Sequence, residues 1–219
     1  MTRPREFHTH PATVPLRADR PLLVVDADEV ILRFAKGFDQ FLRRGGNYLD
    51  LVTYRLHGNV RRLDDNSPLL DVEVTALLES FRTELDWLDA VDGAADILRA
   101  FAPVMNIVVL SNIVEAQAPA RLRNLAKLNL PFALAVNSGP KGPFVKSLAE
   151  RAGKPAFFVD DIPMHHASVA EVAPDVYRLH LIGDERLKTL MPPSPHTHLR
   201  ASDWRAAEAF IRAKLSETP

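Results

Sequence analysis

Leu22-Leu23-Val24-Val25-Asp26-Ala27-Asp28 decides the reading of this chain, because a run of four apolar residues ends abruptly in two carboxylates one residue apart. In an extended chain, residues i and i+2 point to the same side, so the two charges would sit within a few ångströms of each other. At an effective dielectric of about 20, unit charges about 4 Å apart repel by roughly 4 kcal/mol. A strand end that keeps both needs a cation. The bland alternative is a solvated loop after a strand, and for an isolated Asp-x-Asp that alternative has the better odds. The rest of the chain reverses them.

Working outward, four further apolar, β-rich runs recur at 104–110, 132–136, 156–159 and 176–182. Helical periodicity falls between them: Ala94, Ile97, Leu98 and Phe101 keep the i, i+3, i+4, i+7 spacing, and Trp204, Ala207, Ile211 and Leu215 do much the same near the C-terminus. Strands separated by helices imply right-handed crossovers and a parallel sheet covered on both faces. The runs are continuous rather than alternating, as strands buried on both faces must be. The expected fold is α/β: a Rossmann-like parallel sheet of about five strands with helices on both sides.

Nearly eighty residues separate the first two strands, far more than one crossover helix needs, so a small, mostly helical insertion is expected over 35–92, with 1–34 and 93–219 forming the α/β core. Phe34, Phe38, Phe41 and Leu42 mark one helix stopped by Gly45-Gly46, and Val74, Leu77, Leu78, Phe81 and Leu85 mark another. Residues 48–62 are rich in strand formers and carry His57-Gly58-Asn59 as a turn, so a hairpin competes there with irregular structure.

In open parallel sheets, ligands bind beyond the carboxyl ends of the strands. Those ends carry Asp26-Ala27-Asp28, Leu110-Ser111-Asn112, the loop Gly139-Pro140-Lys141-Gly142-Pro143, and Asp160-Asp161. Acids, a hydroxyl, a base and more acids have a coherent joint use: carboxylates for a divalent metal and a nucleophile, with a hydroxyl and an ammonium for an anion. Pro143 at a first helical position puts Lys141 at a helix mouth, where backbone donors also favour anions. Lys146 lies a turn further in and is the second candidate for the cationic role.

Val-Val-Asp-Ala-Asp-Glu-Val, Val-Val-Leu-Ser-Asn, Lys141 and Phe-Val-Asp-Asp resemble, in order and at plausible separation, the four motifs of the haloacid dehalogenase-like (HAD) hydrolases. The likeness spans residues 22 to about 166, and the insertion falls where that superfamily places a helical cap. The resemblance implies Asp26 as nucleophile forming an aspartyl phosphate and Asp28 as the acid that protonates the leaving oxygen and then activates water. It implies Mg²⁺ held by Asp26, the Asp28 backbone carbonyl and Asp160 or Asp161. Ser111, the Asn112 backbone N–H and Lys141 would bind phosphate. The second aspartate favours phosphoryl transfer over dehalogenation, since a halide leaves without a proton. The activity implied is a Mg²⁺-dependent phosphatase for a small phosphorylated metabolite. A phosphomutase, or a non-catalytic HAD-like binding protein, stands as the alternative.

Composition narrows the partners. With 27 basic against 28 acidic residues and no long basic run, nothing indicates nucleic acid. The absence of cysteine removes disulfides, thiolate nucleophiles and cysteine-ligated zinc. No stretch approaches the ~20 apolar residues of a membrane span, and residues 1–20 lack an apolar signal core, so a soluble, cytoplasmic protein is expected. Ser111 has no Gly-x-Ser-x-Gly elbow. His165-His166 are adjacent and cannot both face one metal from a helix. Arg43, Arg44, Arg55, Arg61 and Arg62 form either a solvated charged face or an anion-greeting patch on the insertion.

Overall fold

The computed structural model describes residues 6–217; residues 1–5, part of the stretch read for a signal, lie outside it. Among the described residues nine strands appear in chain order: β1 (Phe7–His8), β2 (Pro21–Val25), β3 (Asn47–Leu49), β4 (Val60–Arg62), β5 (Asn106–Ser111), β6 (Ala133–Val136), β7 (Gly153–Asp160), β8 (Tyr177–Leu181) and β9 (Leu199–Ala201). The helices are α1 (Phe34–Arg44), α2 (Asp71–Arg82), α3 (Ala94–Phe101), α4 (Ala118–Lys127), α5 (Gly142–Ala149), α6 (Pro163–Val172), α7 (Glu185–Leu190) and α8 (Trp204–Ser216). No helix among the described residues is long and apolar enough to cross a membrane.

Seven strands form one parallel sheet in the order β1-β6-β5-β2-β7-β8-β9. The five apolar runs supply its centre. The count of about five falls short by the two edge strands, which are only two and three residues long and carry no apolar run. Period-two alternation explains why the central runs are apolar throughout. Leu23 and Val25 join Val109, Phe157 and Leu179 against Ile97, Trp204 and Ile211 on one face. Leu22 and Val24 join Val108, Phe158, Val145, Leu148 and Val169 on the other.

From β2 the chain builds outward through β5 and β6, then crosses to β7 and β8 on the opposite side of β2. The topological switch therefore lies at the carboxyl end of β2, which is where the Asp-Ala-Asp sequence falls.

The segment between β2 and β5 leaves and returns side by side. The Val91 N–H donates to the Ile31 carbonyl at 2.8 Å and the Arg33 N–H to the Asp89 carbonyl at 2.9 Å. Within it, α1 ends at Gly45, as the glycine pair requires, and Gly46 takes φ 73°. Strands β3 and β4 pair antiparallel across a ten-residue connection that ends in the His57-Gly58-Asn59 turn, where the Asn59 N–H donates to the Leu56 carbonyl at 3.2 Å and Gly58 takes φ 79°. Phe34, Phe38 and Phe41 of α1 meet the Phe81 ring of α2 edge-on or tilted, and they pack onto the same apolar cluster as the sheet.

Candidate active site

Asp26 follows the last residue of β2 and is tied to the sheet by its N–H, which donates to the Val159 carbonyl at 2.9 Å. Adjacent strand ends bring Ser111 and Asp160 beside it on either side. Lys141 arrives from the start of α5. Its approach depends on Gly142, where a Cβ would meet the Ser168 carbonyl oxygen at 2.3 Å, so only glycine lets α5 sit this close to α6. Lys141 Nζ then donates to Asp26 Oδ1 at 2.5 Å and to Asp160 Oδ2 at 2.7 Å, and all three side chains are buried.

Asp26, Asp160 and Asp161 each offer a carboxylate oxygen, all within 4.8 Å of one another. Asp160 Oδ1 accepts from the Ile162 N–H at 2.8 Å, and Asp161 Oδ2 accepts from the Tyr54 hydroxyl at 2.5 Å. Asp28 points to a different cation: Arg121 Nη2 donates to its Oδ1 at 2.6 Å. Arg121 is fully buried, and its Nε and Nη1 have no partner among the described residues. The Ser111 hydroxyl is likewise buried without a partner. The Asn112 side chain donates to the Gly139 carbonyl at 2.9 Å and so ties the end of β5 to the loop before Lys141.

No family model and no curated protein matches the sequence. Solved structures do. YfnB of Bacillus subtilis, assigned to the HAD hydrolases and solved with bound magnesium, superposes with a TM-score of 0.59 at 15% identity, over 88% of this chain and 99% of its own. The L-2-haloacid dehalogenase PA0810 gives 0.57 at 9% identity, and a Thermotoga maritima protein assigned as a β-phosphoglucomutase gives 0.56 at 12%, each over 88% of this chain and 99% of the other. The chain has the HAD-like hydrolase fold. These neighbours cover more than one chemistry on that fold, so the reaction must be argued from the site.

The electrostatics of the site follow from burial. Burial pushes the Asp26 carboxyl up, with the Lys141 ammonium opposing. Asp161 is pushed well up, first by burial and then by the charges of Asp160 and Asp26. Asp28 is also raised by burial, against the pull of the Arg121 guanidinium. Burial alone would lower Lys141, but its two carboxylate partners more than reverse this and hold the ammonium above its usual range. Two buried cations serve the four aspartates: Lys141 pairs with Asp26 and Asp160, and Arg121 with Asp28.

Of the two lysines proposed for the cationic role, the structure places Lys141 between the aspartates and Lys146 on the exposed face of α5, 4.0 Å from Glu150. The arginines between β2 and β5 divide. Arg43 pairs with Asp39, Arg44 with Glu84, Arg61 with Asp50 and Arg62 with Glu73, which is a solvated charged surface. Arg55 instead lines a cavity of about 230 Å³ with Asp28, Glu29, Phe34, Tyr54, Leu56 and Asp161.

Three participants escaped the sequence reading. Arg121 falls on the apolar stripe of α4, three residues after Ala118 and four before Leu125, and a charge in that position was the available signal. Tyr54 lies in the irregular loop of the insertion, where no periodicity points. Glu29 is buried at φ 58°; its Oε1 accepts from the Ala35 N–H at 2.5 Å while Oε2 has no partner among the described residues. Chiefly through burial, its carboxyl is pushed up to about 8.

Proposed function

We propose that this protein is a Mg²⁺-dependent phosphatase that hydrolyses a small phosphorylated metabolite through an aspartyl phosphate on Asp26. The observation that carries the reading is the buried lysine joining Asp26 to Asp160, with Asp161 in reach of both. The donor set is oxygen only, which suits a hard ion. Opposite ligands of an octahedral Mg²⁺ lie about 4 Å apart at bond lengths of about 2.0–2.1 Å. The three aspartate oxygens lie within 4.8 Å of one another. Asp26, the Asp28 backbone carbonyl and Asp160 or Asp161 would hold the ion, which when bound would neutralise charge on the carboxylates and on the phosphoryl oxygens.

In this mechanism a carboxylate oxygen of Asp26 attacks phosphorus, forming the acyl phosphate as the bond to the leaving oxygen breaks. Asp28 gives that oxygen its proton, so the alcohol departs neutral, and burial keeps the carboxyl poised for this. Water then attacks the phosphoryl group, Asp28 takes back the proton, and inorganic phosphate leaves with Asp26 regenerated. The unpartnered Ser111 hydroxyl, the Asn112 N–H and Lys141 hold phosphoryl oxygens in both steps. A dehalogenase would leave Asp28 idle, because a halide needs no proton.

The segment between β2 and β5 acts as a cap in this reading. Tyr54, Arg55 and Leu56 bring it onto the cavity beside Asp28, where a leaving group would lie. A panel of phosphorylated metabolites with and without Mg²⁺ tests the activity. Release of phosphate from at least one, abolished by EDTA, is expected; no turnover of any member, with metal present, would count against a phosphatase. Arg55→Ala should reorder the panel more than it slows an aryl phosphate.

A further inference from the structure

Two buried histidines stand behind the acidic pair. His166, on α6, has Nε2 2.9 Å from the Asp160 backbone carbonyl oxygen, and His180, in β8 opposite Asp160, has Nε2 2.9 Å from that of Asp161. A carbonyl oxygen only accepts, so each Nε2 carries a hydrogen. For His180 an independent contact fixes the same tautomer: Arg200 Nη1 lies 3.3 Å from Nδ1 and can only donate to it. Arg200 is itself anchored, its Nη2 donating at 2.8 Å to the carbonyls of Lys188 and Met191. The rings of His166 and His180 lie 5.4 Å apart, so the two donors form one packed unit.

Together with the Ile162 N–H on Asp160 Oδ1, these bonds hold the turn that carries both carboxylates: two consecutive carbonyls from behind and one side chain from the front. Rotation of either peptide unit would swing a carboxylate out of the cluster and leave a buried carbonyl unsatisfied.

We propose that His166 and His180 are positioning residues that clamp the Asp160–Asp161 backbone so that its carboxylates are aimed at a divalent cation, with Arg200 fixing the His180 tautomer. The inference rests on the reading that Asp26, Asp160 and Asp161 hold Mg²⁺. Neither histidine touches the metal or the substrate. Their contribution is to the geometry of the ligands, which in other metal sites is worth about 10–100-fold in affinity.

The test is Mg²⁺ titration by calorimetry at fixed pH, on the wild type and on His180→Gln, His180→Asn, His166→Gln, His166→Asn and Arg200→Met, with thermal stability of each metal-free form measured alongside. A glutamine amide reaches the position of Nε2 and an asparagine amide does not, although the two are equally polar. The Gln variants should bind Mg²⁺ within about threefold of wild type, and the Asn variants about tenfold or more weakly. Arg200→Met, which leaves both rings in place, should fall between. Equal affinities in the Gln and Asn variants, even with lowered thermal stability, would overturn the clamp and leave a packing role. Absence of Mg²⁺ binding by the wild type would instead overturn the metal reading on which the clamp rests. Should an Asn variant fail to fold, Arg200→Met decides: unchanged Mg²⁺ affinity there would refute the clamp at His180.

Discussion

Glu29→Gln isolates the electrostatic cost of a single buried carboxyl beside this site. Oε1 of Glu29 accepts the Ala35 N–H and Oε2 is buried without a partner, so the charged form is poorly solvated. Burial first, then the nearby charges of Asp184 and Asp28, pushes the carboxyl from its ordinary 4.5 up to about 8, with the Ala35 N–H opposing. Because the folded value is raised, the stabilising contribution is fully present below pH 4.5 and is lost as pH rises through about 8. In between, the unfolded chain has released its proton and the folded chain keeps it. At about 1.4 kcal/mol per pH unit, the interval amounts to about 5 kcal/mol at most, of which about 3 kcal/mol falls between pH 5.5 and 8.5. Glutamine keeps the acceptor for Ala35 and cannot ionise. Urea unfolding in EDTA at both pH values gives the comparison, since Asp26 and Asp161 titrate in both proteins and cancel in the difference. The variant should lose about 3 kcal/mol less than wild type between the two pH values. Parallel losses would show that Glu29 is already ionised in the fold and would refute the burial argument.

Three further substitutions test the surrounding charges. Lys141→Met leaves Asp26 and Asp160 buried without their cation; a loss of about 3–5 kcal/mol is expected at pH 7.5 in EDTA, shrinking as pH falls and Asp26, whose carboxyl burial pushes up, takes a proton. Thermal melts across pH 5–8 measure it. Asp28→Asn unpairs the buried Arg121 and should destabilise the fold by about 2–4 kcal/mol, less than a fully enclosed pair because the Asp28 side chain is 30% exposed. In single-turnover phosphorylation it should slow poor alkoxide leaving groups far more than nitrophenolate; equal losses would refute the acid role. Tyr54→Phe removes the hydroxyl that donates to Asp161 and should cost about 1–2 kcal/mol in metal-free urea unfolding, with a stability equal to wild type contradicting the bond.

The sheet was legible where burial on both faces made strands continuously apolar, as at β2, β5 and β7. Strands β1 and β9 were not, because an edge strand of two or three residues, such as Leu199-Arg200-Ala201, contributes a few hydrogen bonds and no apolar run. The strand-end residues could be picked out because parallel topology brings all carboxyl ends to one edge, so Asp26, Ser111, Lys141 and Asp160 needed no knowledge of strand order. What stayed hidden depends on helices and loops docking from far along the chain: Arg121 meets Asp28 across 93 positions and Tyr54 meets Asp161 across 107. The arginines of the insertion show the converse limit. Their clustering in sequence fitted a solvated charged face as well as an anion-greeting patch; four of them pair with acids on the surface and Arg55 lines the cavity.

The claim that Asp26 is the phosphoryl acceptor in a Mg²⁺-dependent site is tested most directly with para-nitrophenyl phosphate as the probe. Nitrophenolate release by wild type and by Asp26→Asn would be followed with Mg²⁺ and with excess EDTA, and acid-quenched protein weighed for a covalent phosphoryl group. Wild type should release nitrophenolate only with Mg²⁺ and carry the added mass on the peptide containing Asp26, while Asp26→Asn, with its folded state verified by a thermal melt, should do neither. Undiminished release in EDTA, or by Asp26→Asn, would contradict the account.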